Sequence, residues 1–462
     1  MHRDALETLK NWKNKLNRKP LVIRGARQVG KSYLVRDFAK IYGFDLLEIN
    51  FELNSEDAAC FNSKHPEQIT ALLELKQSKK IIPGKTLLFL DEIQAAPEIF
   101  SSLRYFYELM PDLHVIAAGS LLDFILENHS FSMPVGRIEY LHLGPMTFKE
   151  FLKGTGKEQL AEFIKNHQLS EKFPLVIHKE LIRLFRLFLA VGGMPESIRV
   201  YRETRSLLEV DAVKQSILLT YRDDFSKYGH RIPTVRLQKI FQRLPMLTGQ
   251  KLKYVHLDKT EKSVNLKKAL HLLRLAKIYY PVFHTSAGGI PLGAQSNEKF
   301  QKPLFLDVGL LMSACGMNFT DIEAVDDVVL INSGTICEQY VGQHLLYRNP
   351  LYLEPELFYW CREKRQASSE IDYVINSGKT VIPVEVKAGK TGTLKSLHVF
   401  INEKKLDMGV RFNTDLPSFN QVPFALPYAE GSFNLLSLPL YMVEEMNRFI
   451  FEERGSVTLL KK

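Results

Sequence analysis

The chain has few cysteines and no long apolar run, and each shortage narrows what it can be. No stretch of its 462 residues approaches the roughly 18 consecutive apolar side chains of a membrane span. The best candidate, LIRLFRLFLAVGGM, is interrupted by Arg183 and Arg186. The opening residues, MHRDALETLKNWKNKLNRK, are charged throughout and lack the apolar core of a signal peptide. The four cysteines, Cys60, Cys315, Cys337 and Cys361, match no metal-ligand spacing and are expected to be free thiols of a reducing compartment. Together these absences predict a cytoplasmic protein with no membrane partner.

What is present is ordinary in bulk: 45% hydrophobic and 24% charged residues, as in a folded globular protein. The length predicts two to four domains. A net charge of +9 and a pI near 9.1 point to a polyanionic partner such as nucleic acid. A basic protein with no such partner has the same composition.

The segment LVIRGARQVGKSYL contains Gly25-x4-Gly30-Lys31-Ser32, a phosphate-binding loop between an apolar strand, Leu21 to Ile23, and a helical pattern, SYLVRDFAKIYG. Successive backbone N–H groups of such a loop face the phosphates, helped by the partial positive charge of the helix start. Lys31 is expected to reach the β- and γ-phosphates of ATP, and the Ser32 hydroxyl to ligate Mg²⁺. About 60 residues on, the apolar run Thr86 to Leu90 ends in Asp91-Glu92. That pattern predicts a strand whose end places Asp91 in the Mg²⁺ shell and Glu92 where it polarises the attacking water. A third apolar run, Leu113 to Ala118, leads into Gly119-Ser120. Ser120 is a candidate to sit beside the γ-phosphate, although Gly-Ser is also a generic turn. Arg137, in SMPVGRIEYLHLGPMTFKEFL, is a candidate to stabilise the transferring phosphoryl charge, in the same chain or across a homo-oligomer. The alternative is a surface arginine before a strand.

The runs GARQVGKS, LLFLDEIQ, AAGS, PVGRIEYLHLGPMTFKEF and GGMPES, in that order, resemble the bacterial and archaeal AAA+-like ATPases that carry a DUF4143 region, near the STAND-type P-loop ATPases with a nuclease-like tail. The resemblance spans nearly the whole chain. It implies an α/β architecture: a P-loop NTPase (AAA+-like) core over 1–157, a helical lid over 158–236, a winged helix over 237–312 and a restriction-endonuclease-like domain over 313–462. In STAND-type relatives a Gly-x-Pro element of the lid contacts the nucleotide base. Gly193-Met194-Pro195 fits it by position, which makes Pro195 a nucleotide-binding candidate, while Gly192, Gly193 and Pro195 in any case mark a helix-breaking turn.

From Glu158 to Arg236 apolar residues recur at three- and four-residue intervals, the helical period. Asn265 to Ala276 is expected as the second helix of the winged module, followed by a β-wing ending near Phe305. Lys267, Lys268, His271 and Arg274 recur on that helix and are placed to meet DNA phosphates, or to form an ordinary solvated face. KPLFLDVGLLMSACG follows as a buried connector, and Asp307 within it has no role legible in the sequence.

A second constellation lies near the C-terminus. Glu338 falls on a predicted helix, GTICEQYVGQHLLY, with Cys337, Val341 and Leu345 spaced for a buried stripe. FYWC, EIDYVI and VIPVEVK are predicted strands, the last two joined by a turn at Asn376 to Gly378. Side chains two apart on a strand share a face, so Glu370 pairs with Asp372 and Glu385 with Lys387. A hairpin would gather Asp372, Glu385 and Lys387, the pattern of the PD-(D/E)xK nuclease-like fold. Asp372, Glu385 and Glu338 would bind one or two Mg²⁺ and Lys387 would position or deprotonate the attacking water. Pro383 argues for an edge strand and for a fold without the chemistry. Two functions are therefore expected: a DNA-directed ATPase that switches or loads a nuclease, or an ATP-dependent switch or scaffold with a non-catalytic tail. A small-molecule P-loop kinase is disfavoured, because the second half carries wing-like and nuclease-like patterns instead of a substrate lid.

Overall fold

In the computed structural model, which describes residues 1–120, 122–128, 134, 136–228, 232–317, 333–364, 367–388 and 394–460, the apolar runs read from the sequence become the strands of two sheets. The chain divides into two units. One holds Met1–Met146, His271–Ile278 and Asn349–Pro355; the other holds Thr147–Leu270, Tyr279–Arg348 and Glu356–Lys462.

In the first unit β1 (Leu21–Arg24), β2 (Asp45–Asn50), β3 (Thr86–Asp91), β4 (His114–Gly119) and β5 (Glu139–His142) form one parallel sheet in the order β2-β3-β4-β1-β5. β3 and β4 are buried along their whole length, as central strands of a parallel sheet are. β4 lies between β1 and β3, with Arg24 opposite Gly119 and Leu90 opposite Ala117. The carboxyl ends of these three strands therefore open side by side, where doubly wound sheets place their ligands. Val22, Ile49, Leu88, Leu90, Phe100 and Val115 form the core beneath that edge.

The second unit is built on an eight-stranded sheet. Its strands are β6 (Tyr279–Thr285), β7 (Ser296–Phe305), β8 (Leu357–Lys364), β9 (Ala367–Ser377), β10 (Thr380–Val386), β11 (Met408–Asn413), β12 (Ser418–Leu426) and β13 (Ala429–Pro439), in the order β12-β13-β11-β10-β9-β8-β6-β7. Helices Glu158–Asn166, Leu175–Val191, Pro195–Thr204 and Leu207–Asp224 meet the helical expectation before it.

Two expectations change. The β6–β7 hairpin is not a free-standing wing. β6 runs parallel to β8, Val282 opposite Leu357 and His284 opposite Tyr359, so the hairpin ends the large sheet. Pairing on both sides satisfies backbone groups of β6 that an isolated wing leaves to water. The sheet that holds the hairpin continues across residue 312, and the opening segment of the first unit ends at Met146. Nor is β10 an edge strand. It lies between β9 and β11, and its ladder with β11 begins at Val384, so Pro383 falls outside that ladder.

The structure gives Asp307 its role. The residue is fully buried. Its Oδ2 accepts the Gly193 N–H at 2.7 Å and its Oδ1 accepts the Leu310 N–H at 3.0 Å, capping the helix Val308–Ala314. Gly192, at φ 78°, ends the helix Leu175–Val191 in a conformation suited to glycine. A Cβ there would overlap Asp307, and a Cβ on Gly309 would come within 2.6 Å of Gly192 Cα. The GGMP turn is thus locked to a distant helix by one carboxylate and two bare glycines. Asp307→Ala is expected to cost about 2–4 kcal/mol, because it strands two buried donors. A urea midpoint equal to that of the unaltered chain would contradict this.

His114 is buried on β4, its ring 5.9 Å from Trp12 and 4.7 Å from Phe44. Burial, then the charges of Arg18 and Lys13, push it from the ordinary value of 6.5 down to about 4. The folded state then binds fewer protons than the unfolded one between those values, so the His114 contribution to stability falls as pH drops from 6.5 towards 4. Buried carboxylates with raised values act in the opposite sense, so the effect is read as a difference. The stability of His114→Phe relative to the unaltered chain should grow over that window by roughly 3 kcal/mol. A pH-independent difference in denaturation midpoints would show that the ring is not held neutral.

Candidate functional site

The first site starts from the loop after β1. Gly25 is required because a Cβ would overlap the Leu143 carbonyl oxygen. Gln28 at φ 63° and Gly30 at φ 91° turn the backbone through left-handed conformations before the helix Lys31–Tyr42 begins. Such a sequence turns successive N–H groups inward and forms an anion nest. Arg3, buried and far away in sequence, braces the loop by donating to Val29 O and Gly144 O, each at 2.8 Å.

Lys31 is buried, its Nζ donating to Gly25 O at 3.2 Å and Ala26 O at 2.8 Å. Burial lowers its pKa to about 8, against the pull of Glu92 and Asp91. Two neutral carbonyls do not balance an ammonium, and a phosphate oxygen would. The Ser32 hydroxyl donates to Asp91 Oδ2 at 2.9 Å, and Asn50 Nδ2 lies 3.5 Å from the same oxygen. Asp91 Oδ1 is buried without a hydrogen-bond partner, and burial raises the carboxyl to about 6. An unpartnered buried carboxylate oxygen beside a serine hydroxyl fits a divalent cation.

Glu92 follows at φ 50°, a strained backbone for a non-glycine residue. Its Oε2 accepts from Gln94 Nε2 at 2.5 Å. The Gln94 carbonyl oxygen is buried and unpartnered against Gly119, where a Cβ would overlap it. Ser120 is buried with an unpartnered hydroxyl. Lys31 and Ser32, which open the helix Lys31–Tyr42, thus face the neighbouring strand ends that carry Asp91, Glu92 and Ser120. Arg137 joins a different set: its Nε lies 2.8 Å from Glu108 and its guanidinium 5.8 Å from the Tyr107 ring, on an exposed surface. Pro195 is the first residue of the helix Pro195–Thr204 and belongs to the second unit.

The loop also borders a charge cluster that the sequence does not announce. Arg24, just before Gly25, pairs with Asp123 and covers the Tyr140 ring at 5.1 Å. Lys277 Nζ lies 3.2 Å from Asp123 and 3.8 Å from Glu354. Only folding brings Lys277 and Glu354 to this strand end. On the helix Ser263–Leu275, Lys267, Lys268, His271 and Arg274 are exposed, and His271 bonds Glu127.

The second site lies in the large sheet. β9 and β10 pair antiparallel, Val384 opposite Tyr373. Asp372 Oδ2 accepts the Val386 N–H at 2.8 Å, and Lys387 pairs with Glu385. Glu385 Oε2 is buried and unpartnered. Glu338 comes from the helix Ser333–Leu346, whose Gln339 and Gln343 side chains tie its face to the backbone of Phe305 and Val308. Burial, then the charge of Asp372, raises Glu338 to about 8; the same two causes raise Glu385 to about 7. Buried like charges that repel one another fit a cation. Among the described residues, however, no group of three or more His, Cys, Asp or Glu side chains is placed so that it could hold a metal ion. A residue missed in the sequence reading joins the set. Lys302, buried on β7, pairs with Glu370 and lies 3.9 Å from Glu338 Oε2. Burial alone would lower its pKa, but Glu338, Asp372 and Glu370 hold it above the ordinary lysine value.

Family models match three parts of the chain. One described as an AAA domain covers residues 17–152. Two described as domains of unknown function cover residues 182–321 (DUF8612) and 333–430 (DUF4143). No curated protein matches. Similar solved structures include AMPPCP-bound DnaA from Aquifex aeolicus, 15% identical over 59% of this chain and 86% of that one, at a TM-score of 0.25. The Aeropyrum pernix ORC2 protein in ADPNP–ADP complexes is 14% identical over 70% and 94%, at 0.28. The Aeropyrum pernix ORC1 protein in complex with DNA is 12% identical over 67% and 90%, at 0.26. At these scores the assignment rests on the domain match and on the residues themselves. The AAA-domain match contains Lys31, Ser32, Asp91, Glu92 and Ser120, and the DUF4143 match contains Glu338, Asp372, Glu385 and Lys387. No described helix is long and apolar enough to cross a membrane.

Proposed function

We propose that this chain binds and hydrolyses ATP, is directed to DNA, and uses its ATPase to switch or load a Mg²⁺-dependent nuclease-like domain in its C-terminal part. One observation carries the reading. Two separate buried charge sets each end in an unpartnered carboxylate oxygen, Asp91 Oδ1 and Glu385 Oε2. The first of them adjoins a phosphate loop.

At the first site the loop N–H groups and Lys31 hold the phosphates, while Ser32 and Asp91 would hold Mg²⁺. The ion would draw charge from the phosphate oxygens. Glu92 orients and polarises the attacking water, and its link to Gln94 sets where that carboxylate points. Ser120 senses the γ-phosphate, and Arg137, paired with Glu108 in its own chain, is the candidate to stabilise the developing charge across a homo-oligomer. At the second site Asp372, Glu385 and Glu338 would hold Mg²⁺, whose chemistry there would be to acidify an attacking water. Lys387 positions that water against a DNA phosphate. The net positive charge and the exposed cations of the helix Ser263–Leu275 support an anionic partner.

A second reading has its own support. The ion pairs of Lys302 and Lys387 within the carboxylate set suit a tail that binds without cleaving, which makes the protein an ATP-dependent switch or scaffold.

Lys31→Ala should weaken nucleotide binding at least tenfold. Glu92→Gln should keep affinity and lower turnover by about 10²-fold or more. Unchanged ATP affinity in Lys31→Ala, measured by calorimetry, would sink the phosphate-loop reading. With Mg²⁺ and a DNA substrate, Asp372→Ala and Lys387→Ala should each lose about 10²-fold or more of the cleavage rate. Equal cleavage by all three chains, or none by any, would select the scaffold. ATP hydrolysis with and without single- and double-stranded DNA tests the partner class.

A further inference from the structure

The large sheet ends beside the acidic set in an irregular edge. β6 and β7 lose register between Phe283 and His284: Gln301 faces Phe283 and Asn297 faces His284, so Glu298, Lys299 and Phe300 bulge out of the ladder. Bulges of this kind re-aim side chains at sheet edges and beside active sites. Phe300 is left 56% exposed. A lone exposed apolar side chain is ordinary, but this one ends a row of rings. The half-buried His284 ring stands 6.4 Å from Phe300 and 5.6 Å from Tyr359, nearly perpendicular to both. The Lys302 ammonium lies 5.3 Å from the Tyr359 ring. The row therefore runs from solvent at Phe300 to the set of Lys302, Glu338 and Glu370. Basic residues flank it. Lys299 in the bulge is exposed. The Leu252 N–H donates to Gln301 O at 2.8 Å, which holds a segment carrying Lys251 and the exposed Lys253 against β7. Lys251 turns to Glu370, at 3.7 Å, and the bulge itself holds one acid, Glu298.

We propose that this edge binds single-stranded DNA: an unpaired base stacks on Phe300, whose ring His284 holds in place, while Lys299 and Lys253 take the flanking phosphates. The inference rests on the DNA-directed reading above and specifies the strand state of the partner. An aromatic ring offers a face, and only an unpaired base has a face to give in return, because a duplex keeps its bases stacked on one another. Exposed lysines on either side of a ring are the pairing that tracks a single strand: cations for the backbone, the ring for the bases. Packing against His284 orders the Phe300 ring before a base arrives, so little side-chain freedom remains to be lost on binding. A strand held at Phe300 lies at the outer end of a row whose inner end is the acidic set.

The test measures the fluorescence anisotropy of a labelled oligothymidine and of a labelled hairpin duplex on the full chain, with EDTA present and no nucleotide. Phe300→Ala should bind the single strand about tenfold more weakly than the unaltered chain and leave duplex affinity unchanged, and Phe300→Trp should restore the single-strand affinity. Phe300→Ala should not alter the salt dependence of binding, because it removes no phosphate contact. Lys253→Ala and Lys299→Ala should each lower the logarithmic salt slope for the single strand by about 0.7. Single-strand affinity unchanged in Phe300→Ala, equal losses on single strand and duplex, or no recovery in Phe300→Trp overturns the proposal and leaves the DNA-directed reading standing. Binding of neither form by the unaltered chain overturns both. Phe300 is exposed, so its replacement leaves the core of the sheet intact.

Discussion

A charge taken out of water must find an opposite charge or a set of donors close by, and both candidate sites are built on that constraint. Lys31 is buried among carbonyl oxygens and acidic neighbours. Lys302 is buried between Glu338 and Glu370. The oxygens that remain without partners, Asp91 Oδ1 and Glu385 Oε2, are the places where each constellation is incomplete. Elsewhere the same constraint is met in full: the two oxygens of Asp307 take the N–H groups of Gly193 and Leu310, and that residue acts as a strut.

Sheet order turns these local charges into sites. Inserting β4 between β1 and β3 aligns three strand ends, so a loop, a carboxylate and a serine from distant stretches of chain share one edge. In the second unit, alternation along β9 and β10 sets the shared faces, and antiparallel pairing brings Asp372 up to the backbone of Val386. The helix Ser333–Leu346 supplies Glu338 from above a strand end that its own glutamines fix.

What was legible in the sequence was whatever is contiguous. The phosphate loop is a run of eight residues, and its strand and helix flank it directly. Asp91-Glu92 and the Asp372, Glu385, Lys387 hairpin are read the same way, because a short turn leaves the register little choice. What was misread depends on partners far along the chain. The period of β6 and β7 is that of any hairpin, and nothing in it tells a wing from the end of a large sheet. Pro383 suggested an edge because residue type alone does not reveal where the β11 ladder starts.

The sequence by itself determined the local chemistry: a loop that turns N–H groups inward, a strand ending in two acids, and a hairpin carrying an Asp, a Glu and a Lys on shared faces. These follow from backbone geometry over a few residues. The tertiary structure alone decided which charges meet. It put Arg3 behind the loop, Gln94 against Gly119, Lys277 beside Asp123, Asp307 under the GGMP turn and Lys302 among the carboxylates. The physical reason is that attraction between buried charges depends on distance through space, and distance through space is set by how strands order themselves in a sheet.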